Sequence, residues 1–159
     1  MPVIEIELVV LAPIERVFDL SRSVDAHVDS TSQTGERAVA GVTTGLLALG
    51  DHVTWEARHF GVRQRLTSRI VEFQRPHHFR DSMVSGAFAR IDHDHDFSTL
   101  DTGTRTSDRF DFDSPLGPLG RLADALFLTR YMRALLETRL RVIKRIAESG
   151  EWTKYLGAG

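Results

Sequence analysis

The feature that most restricts this chain is a long C-terminal stretch of helical periodicity, from about Leu119 to Glu148. As one helix it holds about 30 residues and measures about 45 Å, far beyond the usual helix length. Ser114-Pro115 supplies a cap and a first-turn proline, Lys144 and Arg145 suit the negative end, and Gly150 lies just past it. Its first half is apolar nearly all round: Leu122, Ala123, Ala125, Leu126, Phe127, Leu128, Tyr131, Met132, Leu135 and Leu136. Its second half is amphipathic, with Leu140, Ile143 and Ile146 opposed by Arg141, Lys144, Arg145 and Glu148. A helix that is apolar all round has to be covered on several sides, and a sheet wrapped round it does this.

The residues before the helix supply such a sheet. Val3 to Leu11 alternates apolar Ile4, Ile6 and Leu8 with Glu5 and Glu7, a strand with one wet face. Pro13 then opens a short helix carrying Ile14, Val17 and Phe18, and Ser23 caps a second that carries His27. From Glu36 to Asp113, turn signals such as Gly50-Asp51, Phe60-Gly61, Arg75-Pro76, Ser85-Gly86 and Asp101-Thr102-Gly103 separate six further strands. These are expected near residues 36–40, 51–60, 62–73, 77–84, 87–99 and 104–113. The fold class is therefore α+β: a seven-stranded curved antiparallel sheet around a long C-terminal helix, with two short helices after the first strand. Residues 1–150 read as one domain and 151–159 as a tail.

Strand parity predicts which side chains point inward, because residues two apart share a face. Val53, Trp55, Ala57 and His59 form one inward set, and Gln64, Leu66, Ser68 and Ile70 the next. Ala89, Ile91, His93, His95 and Phe97 face the core while Arg90, Asp92, Asp94 and Asp96 face out, and Thr104, Thr106, Asp108, Phe110 and Phe112 complete the wall. A two-residue loop at Phe60-Gly61 pairs Trp55 with Leu66 and Glu56 with Arg65. The loop at Asp101-Thr102 sets His95 opposite Asp108 and His93 opposite Phe110. A three-residue loop with Gly86 left-handed puts Asp81 and Met83 on the inner face with Ile91. The inward polar set is then His59, His93, His95 and Asp108, joined by Asp81.

Composition excludes several classes of function. The 159 residues carry a net charge of -2, so no global field recruits nucleic acid or an anionic membrane. There is no cysteine, hence no disulfide, thiolate metal site or thiol nucleophile. No apolar run reaches the ~18 residues of a membrane span, and residues 1–12 lack a signal peptide's basic start. A cytoplasmic protein without membrane insertion is expected. The outer stripe of Arg58, Arg63, Arg65 and Arg69 has no interleaved aromatics and reads as a solvated face rather than a nucleic-acid platform.

The element order, with the segments APIERVFDL (12–20), GDHVTWEARHFG (50–61), IDHDHDF (91–97) and SPLGPLGRLADALF (114–127), resembles the Bet v 1/START-like (SRPBCC) helix-grip superfamily over essentially the whole chain. The segments look like a bacterial ligand-binding subfamily with polyketide cyclase-like relatives. The resemblance implies a cavity between the concave face of the sheet and the long helix. Its expected lining is Trp55, His59, Leu66, His93, His95, Asp108 and Phe110 from the sheet, and Ala123, Leu126 and Phe127 from the helix. The function implied is binding of a small hydrophobic molecule, with a cyclase/aromatase- or isomerase-like enzyme as the alternative.

For His95 and Asp108 three readings stay open: a hydrogen-bonded structural pair, a polar end that orients a ligand, or a general base on a ligand's α-proton. His93 and His95 also point the same way, as metal ligands must, with Asp108 or His59 available to complete a set. Two histidines at that spacing do not by themselves specify an ion, so no metal and no cofactor are expected. The leucine-rich start of the last helix has a homodimer surface as its alternative use.

Overall fold

A computed structural model of the chain describes residues 2–114, 118, 122 and 127–157. Strand β1 (Val3–Val10) leads into helices α1 (Ile14–Ser21) and α2 (Val24–Ser30) and a 3-10 turn at Ser32–Thr34. Strands β2 (Arg37–Gly41), β3 (His52–His59), β4 (Val62–Gln74), β5 (His78–Ser85), β6 (Arg90–Leu100) and β7 (Gly103–Asp113) follow. Helix α3 (Thr129–Glu148), a 3-10 turn at Gly150–Trp152 and helix α4 (Thr153–Leu156) end the chain.

The seven strands form one antiparallel sheet in the order β1-β7-β6-β5-β4-β3-β2. Burial alternates along β7, where Thr104, Thr106, Asp108, Phe110 and Phe112 are all buried, as the period-2 pattern requires. The predicted registers hold: Trp55 lies opposite Leu66, Glu56 opposite Arg65, His95 opposite Asp108 and His93 opposite Phe110. At the β3–β4 turn Phe60 and Gly61 both have positive φ (53° and 76°), the backbone a two-residue hairpin needs to match strand twist. Register shifts at Thr67/Ser68 and Ile70/Glu72 interrupt the β4–β5 ladder. Such bulges bend the strand that carries the extra residue, here Val84 on β5 and Val71 on β4.

Two expectations are corrected. The β5–β6 connection does not use a left-handed Gly86: Gly86–Ala89 form a run of bends, and β6 starts at Arg90 rather than Ala87. Parity survives because Asp81 still faces His93. The helix is regular from Thr129, after a wider turn at Phe127 and Leu128. Its expected N-terminal part falls mostly outside the described residues; Leu122 and Phe127, which are described, are 58% and 57% exposed, not covered on all sides.

Helix α3 packs on β1, α1 and α2. Leu136, Arg139, Leu140, Ile143, Ile146 and Ala147 form its buried stripe, at the spacing of one helix face. The core has two parts. The larger joins α1 and α2 to β3 and the centre of the sheet, with Phe18 edge-on to Phe73, Phe79 and Phe97 at 5.3–5.4 Å. The smaller gathers Ile4, Ile91, Phe110, Phe112 and Leu136. Beyond residue 150, Trp152, Tyr155 and Leu156 pack partly buried against the larger cluster, with the Arg16 guanidinium 4.1 Å above the Trp152 ring. No helix among the described residues is long and apolar enough to cross a membrane.

Candidate functional site

Because the sheet curves and α3 does not fill the concavity, a cavity of about 440 Å³ remains between them. Members of both core clusters line it. Trp55, Leu66, Met83, Ile91, Phe110 and Leu136 give an apolar wall, and Phe60, Tyr131 and Leu128 contribute near the β3–β4 turn. Trp55, His59, Leu66, His93, His95 and Phe110 thus stand in the wall as expected from parity. Asp108 does not: it is buried behind the two histidines. Phe127 also lies outside the lining. It projects from the wide turn before α3 and rests on Phe60, with ring centroids 5.3 Å apart. Ala123 and Leu126 fall outside the described residues.

One end of the cavity is polar. His93 Nε2 and Asp108 Oδ2 are 3.0 Å apart, and His95 Nε2 and Asp81 Oδ1 2.8 Å. His95 and Asp108 keep the expected register and stand as an ion pair, but the shorter bond of His95 goes to Asp81. His95 and Asp108 face each other across the β6–β7 ladder, yet His95 Nδ1 and Asp108 Oδ1 stand 3.5 Å apart and neither atom has a hydrogen-bond partner among the described residues. The cause is the competing neighbour on the other side: β6 lies between β5 and β7, and the His95 ring, stacked on Phe79 at 4.2 Å, turns its Nε2 to Asp81.

The helices complete this end. Arg139, from the buried stripe of α3, donates through Nη2 to the Ser21 carbonyl (2.9 Å) and through Nε to His27 Nδ1 (3.3 Å). Its Nη1 is 3.5 Å from Asp108 Oδ2 and makes no hydrogen bond among the described residues. With His27 Nδ1 accepting, its proton sits on Nε2, which meets Glu36 Oε1 at 2.5 Å, while the ring stacks on Trp55 at 4.1 Å. Near the β3–β4 turn, His59 Nδ1 and the Tyr131 hydroxyl share a 2.7 Å hydrogen bond.

Burial acts on every charge here, and the partners decide the outcome. Asp108 is held well below the ordinary carboxylate range: burial opposes ionisation, but the charge of His95 and the hydrogen bond from His93 outweigh it. Asp81 is lowered too, against burial, by its bond to His95 and the nearby His93 charge. Burial disfavours the His95 cation, yet Asp108 and Asp81 overcome it and raise the group. His93 is lowered, by burial and by repulsion from His95. His59 is lowered by burial, with Glu36 opposing. Asp81, a histidine pair of opposite tendency and Arg139 therefore sit together in the wall, with Asp108 buried behind them. They offer donors and acceptors to a ligand oxygen, a base beside the cavity, and nitrogen and oxygen donors for a cation.

The ligand-type atoms of Asp81, His93 and His95 all lie within 4.8 Å of one another; Glu72, His78 and Asp94 do the same on the outer face. Neither set is the one considered from sequence, because Asp81 takes the place assigned to Asp108 or His59. Sequence reasoning also missed Arg139, His27, Glu36 and Tyr131. For Arg139 a signal exists, an arginine inside the apolar stripe between Leu136, Leu140 and Ile143. Glu36 and Tyr131 have none that spacing alone supplies.

A curved seven-stranded antiparallel sheet gripping a long C-terminal helix around a cavity defines the helix-grip, Bet v 1/START-like class. Residues 1–148 match the family model described as polyketide cyclase / dehydrase and lipid transport. The chain belongs to that family. Among solved structures, it is similar to a protein of Thermus thermophilus, at 19% identity and a TM-score of 0.74 over 91% of this chain and 95% of that one. A START superfamily protein of Mycobacterium smegmatis matches at 11% identity and 0.69, over 92% and 97%. The di-domain ARO/CYC StfQ of the steffimycin biosynthetic pathway matches at 15% identity and 0.71, over 92% of this chain and 50% of that one. At these identities the likeness establishes the fold. No curated protein sequence matches the chain.

Proposed function

We propose that the protein binds a small, largely apolar molecule in this cavity, with a polar atom of the ligand at the His93–His95–Arg139 end. The observation that carries the reading is the cavity itself: about 440 Å³ of space walled by Trp55, Leu66, Met83, Ile91, Phe110 and Leu136. That size and composition, with a few convergent polar groups, suit a drug-sized ligand. Asp81 and His93 line this end with their side chains 24% and 8% exposed, and a ligand hydroxyl or amide there finds a hydrogen-bond partner, while Arg139 Nη1 stays buried against Asp108. Glu36, Asp81 and Asp108 outnumber Arg139 and the raised His95 as charges at this end, so it favours an uncharged oxygen over a carboxylate.

The test is fluorescence titration with an apolar, environment-sensitive dye, using wild type and Met83→Trp, which fills the cavity. Saturable binding by wild type, lost in a folded Met83→Trp, supports the reading; equal binding by both places the dye elsewhere and contradicts it.

A second reading, a cyclase-, dehydrase- or isomerase-like enzyme on a related substrate, draws on one feature. Asp81 lines the cavity with its carboxylate on His95, and a base so placed removes a proton α to a ligand carbonyl. Turnover of a bound keto compound, lost in Asp81→Asn with binding retained, distinguishes it from a carrier.

A further inference from the structure

We propose that Asp81, His93 and His95 form a binding site for one divalent transition-metal ion at the polar end of the cavity. Three donors of the right kind come from two adjacent strands: Asp81 Oδ1 from β5, and His93 Nδ1 and His95 Nε2 from β6. Two imidazoles and a carboxylate suit zinc and its first-row neighbours, and leave open positions on the side facing the cavity. Asp81 Oδ1 lies 3.9 Å from His93 Nδ1 and 2.8 Å from His95 Nε2. These distances bracket the separation of about 3.3 Å between donors held tetrahedrally at ~2.0–2.1 Å from zinc. The ion takes the place of the proton now shared by Asp81 and His95.

The second observation lies behind the triad. Metal-bound histidines donate their other ring N–H to a carboxylate that fixes the ring. Asp108, 1% exposed, stands where one carboxylate serves both: its Oδ2 holds His93 Nε2 at 3.0 Å, and its Oδ1 faces His95 Nδ1 at 3.5 Å. Those last two atoms are buried and have no hydrogen-bond partner among the described residues. Coordination through Nε2 commits the His95 proton to Nδ1, where a small ring movement lets it donate to Asp108 Oδ1. Both loose ends are then satisfied by the same event. Arg139, 3.5 Å from Asp108, is balanced by that carboxylate, which leaves Asp81 as the anion for the ion.

The site shares the cavity of the proposed ligand but does not depend on it, so the test uses metal alone. Untagged, chelator-stripped protein is titrated with Zn²⁺ by calorimetry and with Co²⁺ by visible absorption. Wild type is expected to take one equivalent, with a Co²⁺ ligand-field spectrum of low coordination number that Zn²⁺ displaces. Asp81→Asn, at the most exposed of the three side chains (24%), abolishes saturable binding, and His93→Gln does so independently should Asp81→Asn melt early. Asp108→Asn keeps the stoichiometry and weakens affinity roughly 10–100-fold. His78→Gln, in the outer cluster, changes nothing. Absence of saturable binding by wild type overturns the proposal, as does binding that survives both ligand substitutions or that falls with His78→Gln. Either result leaves the apolar-ligand reading standing.

Discussion

Replacing Arg139 by methionine keeps most of the side chain's apolar stem and removes its charge and five donors. Three contacts vanish together: the 2.9 Å bond to the Ser21 carbonyl, the 3.3 Å bond to His27 Nδ1, and the cation 3.5 Å from Asp108. The first ties α3 to the end of α1, and the last is a counter-charge to a carboxylate that stays buried. Removing one partner of such a buried pair costs about 3–5 kcal/mol, because the surviving charge is left uncompensated. For a domain of this size each kcal/mol moves Tm by about 2–4 °C, so Arg139→Met should melt about 6–20 °C below wild type at neutral pH. Arg139→Lys, which keeps the charge without the planar fork, should fall between them. Circular dichroism melts and urea titrations read both. A Tm for Arg139→Met within ~2 °C of wild type would show that this arginine does not hold the polar end together.

Other predictions concern pH, packing and capping. Asp108 and Asp81 have lowered folded values, so their stabilisation is complete above the ordinary carboxylate pKa and is lost as pH falls through the folded one. His93, also lowered, adds to the acid loss once pH drops below the ordinary histidine value, whereas the contribution of the raised His95 is lost as pH rises through its folded pKa. Tm measured against pH should therefore fall on both sides of an optimum, with a shallower acid limb in Asp108→Asn; parallel acid limbs would contradict the assignment. Leu140→Ala, at a 2% exposed position on the buried stripe of α3, should cost about 2–5 kcal/mol in urea unfolding. Ser23→Ala removes the hydroxyl that accepts from the Ala26 N–H at the start of α2, and should cost about 0.5–2 kcal/mol.

Much of the wall was legible because a strand has one degree of freedom once its register is set. The Phe60-Gly61 and Asp101-Thr102 turns fixed two registers, and parity then placed Trp55, Leu66, His93, His95, Asp108 and Phe110 on the inner face. What parity does not contain is which of two flanking strands a side chain turns to. His95 was read against Asp108 on β7, and its ring bonds Asp81 on β5. Nor does it contain the angle at which helices cross the sheet. Arg139 and His27 reach the polar end only because α3 and α2 pack together there. Phe127 failed for a different reason: an apolar residue in an apolar stretch reads as covered, and Phe127 lies in the wide turn before Thr129 and is exposed.

The central claim is that the cavity takes an apolar guest. Native mass spectrometry of the intact protein, with activation to release and identify what is bound, measures this most directly. After incubation with an extract of apolar metabolites, the predicted result is a 1:1 complex with a small, largely apolar, uncharged molecule. That complex should be missing from a correctly folded Met83→Trp variant. A protein that stays at its free mass throughout, or that carries the same guest in Met83→Trp, would contradict it.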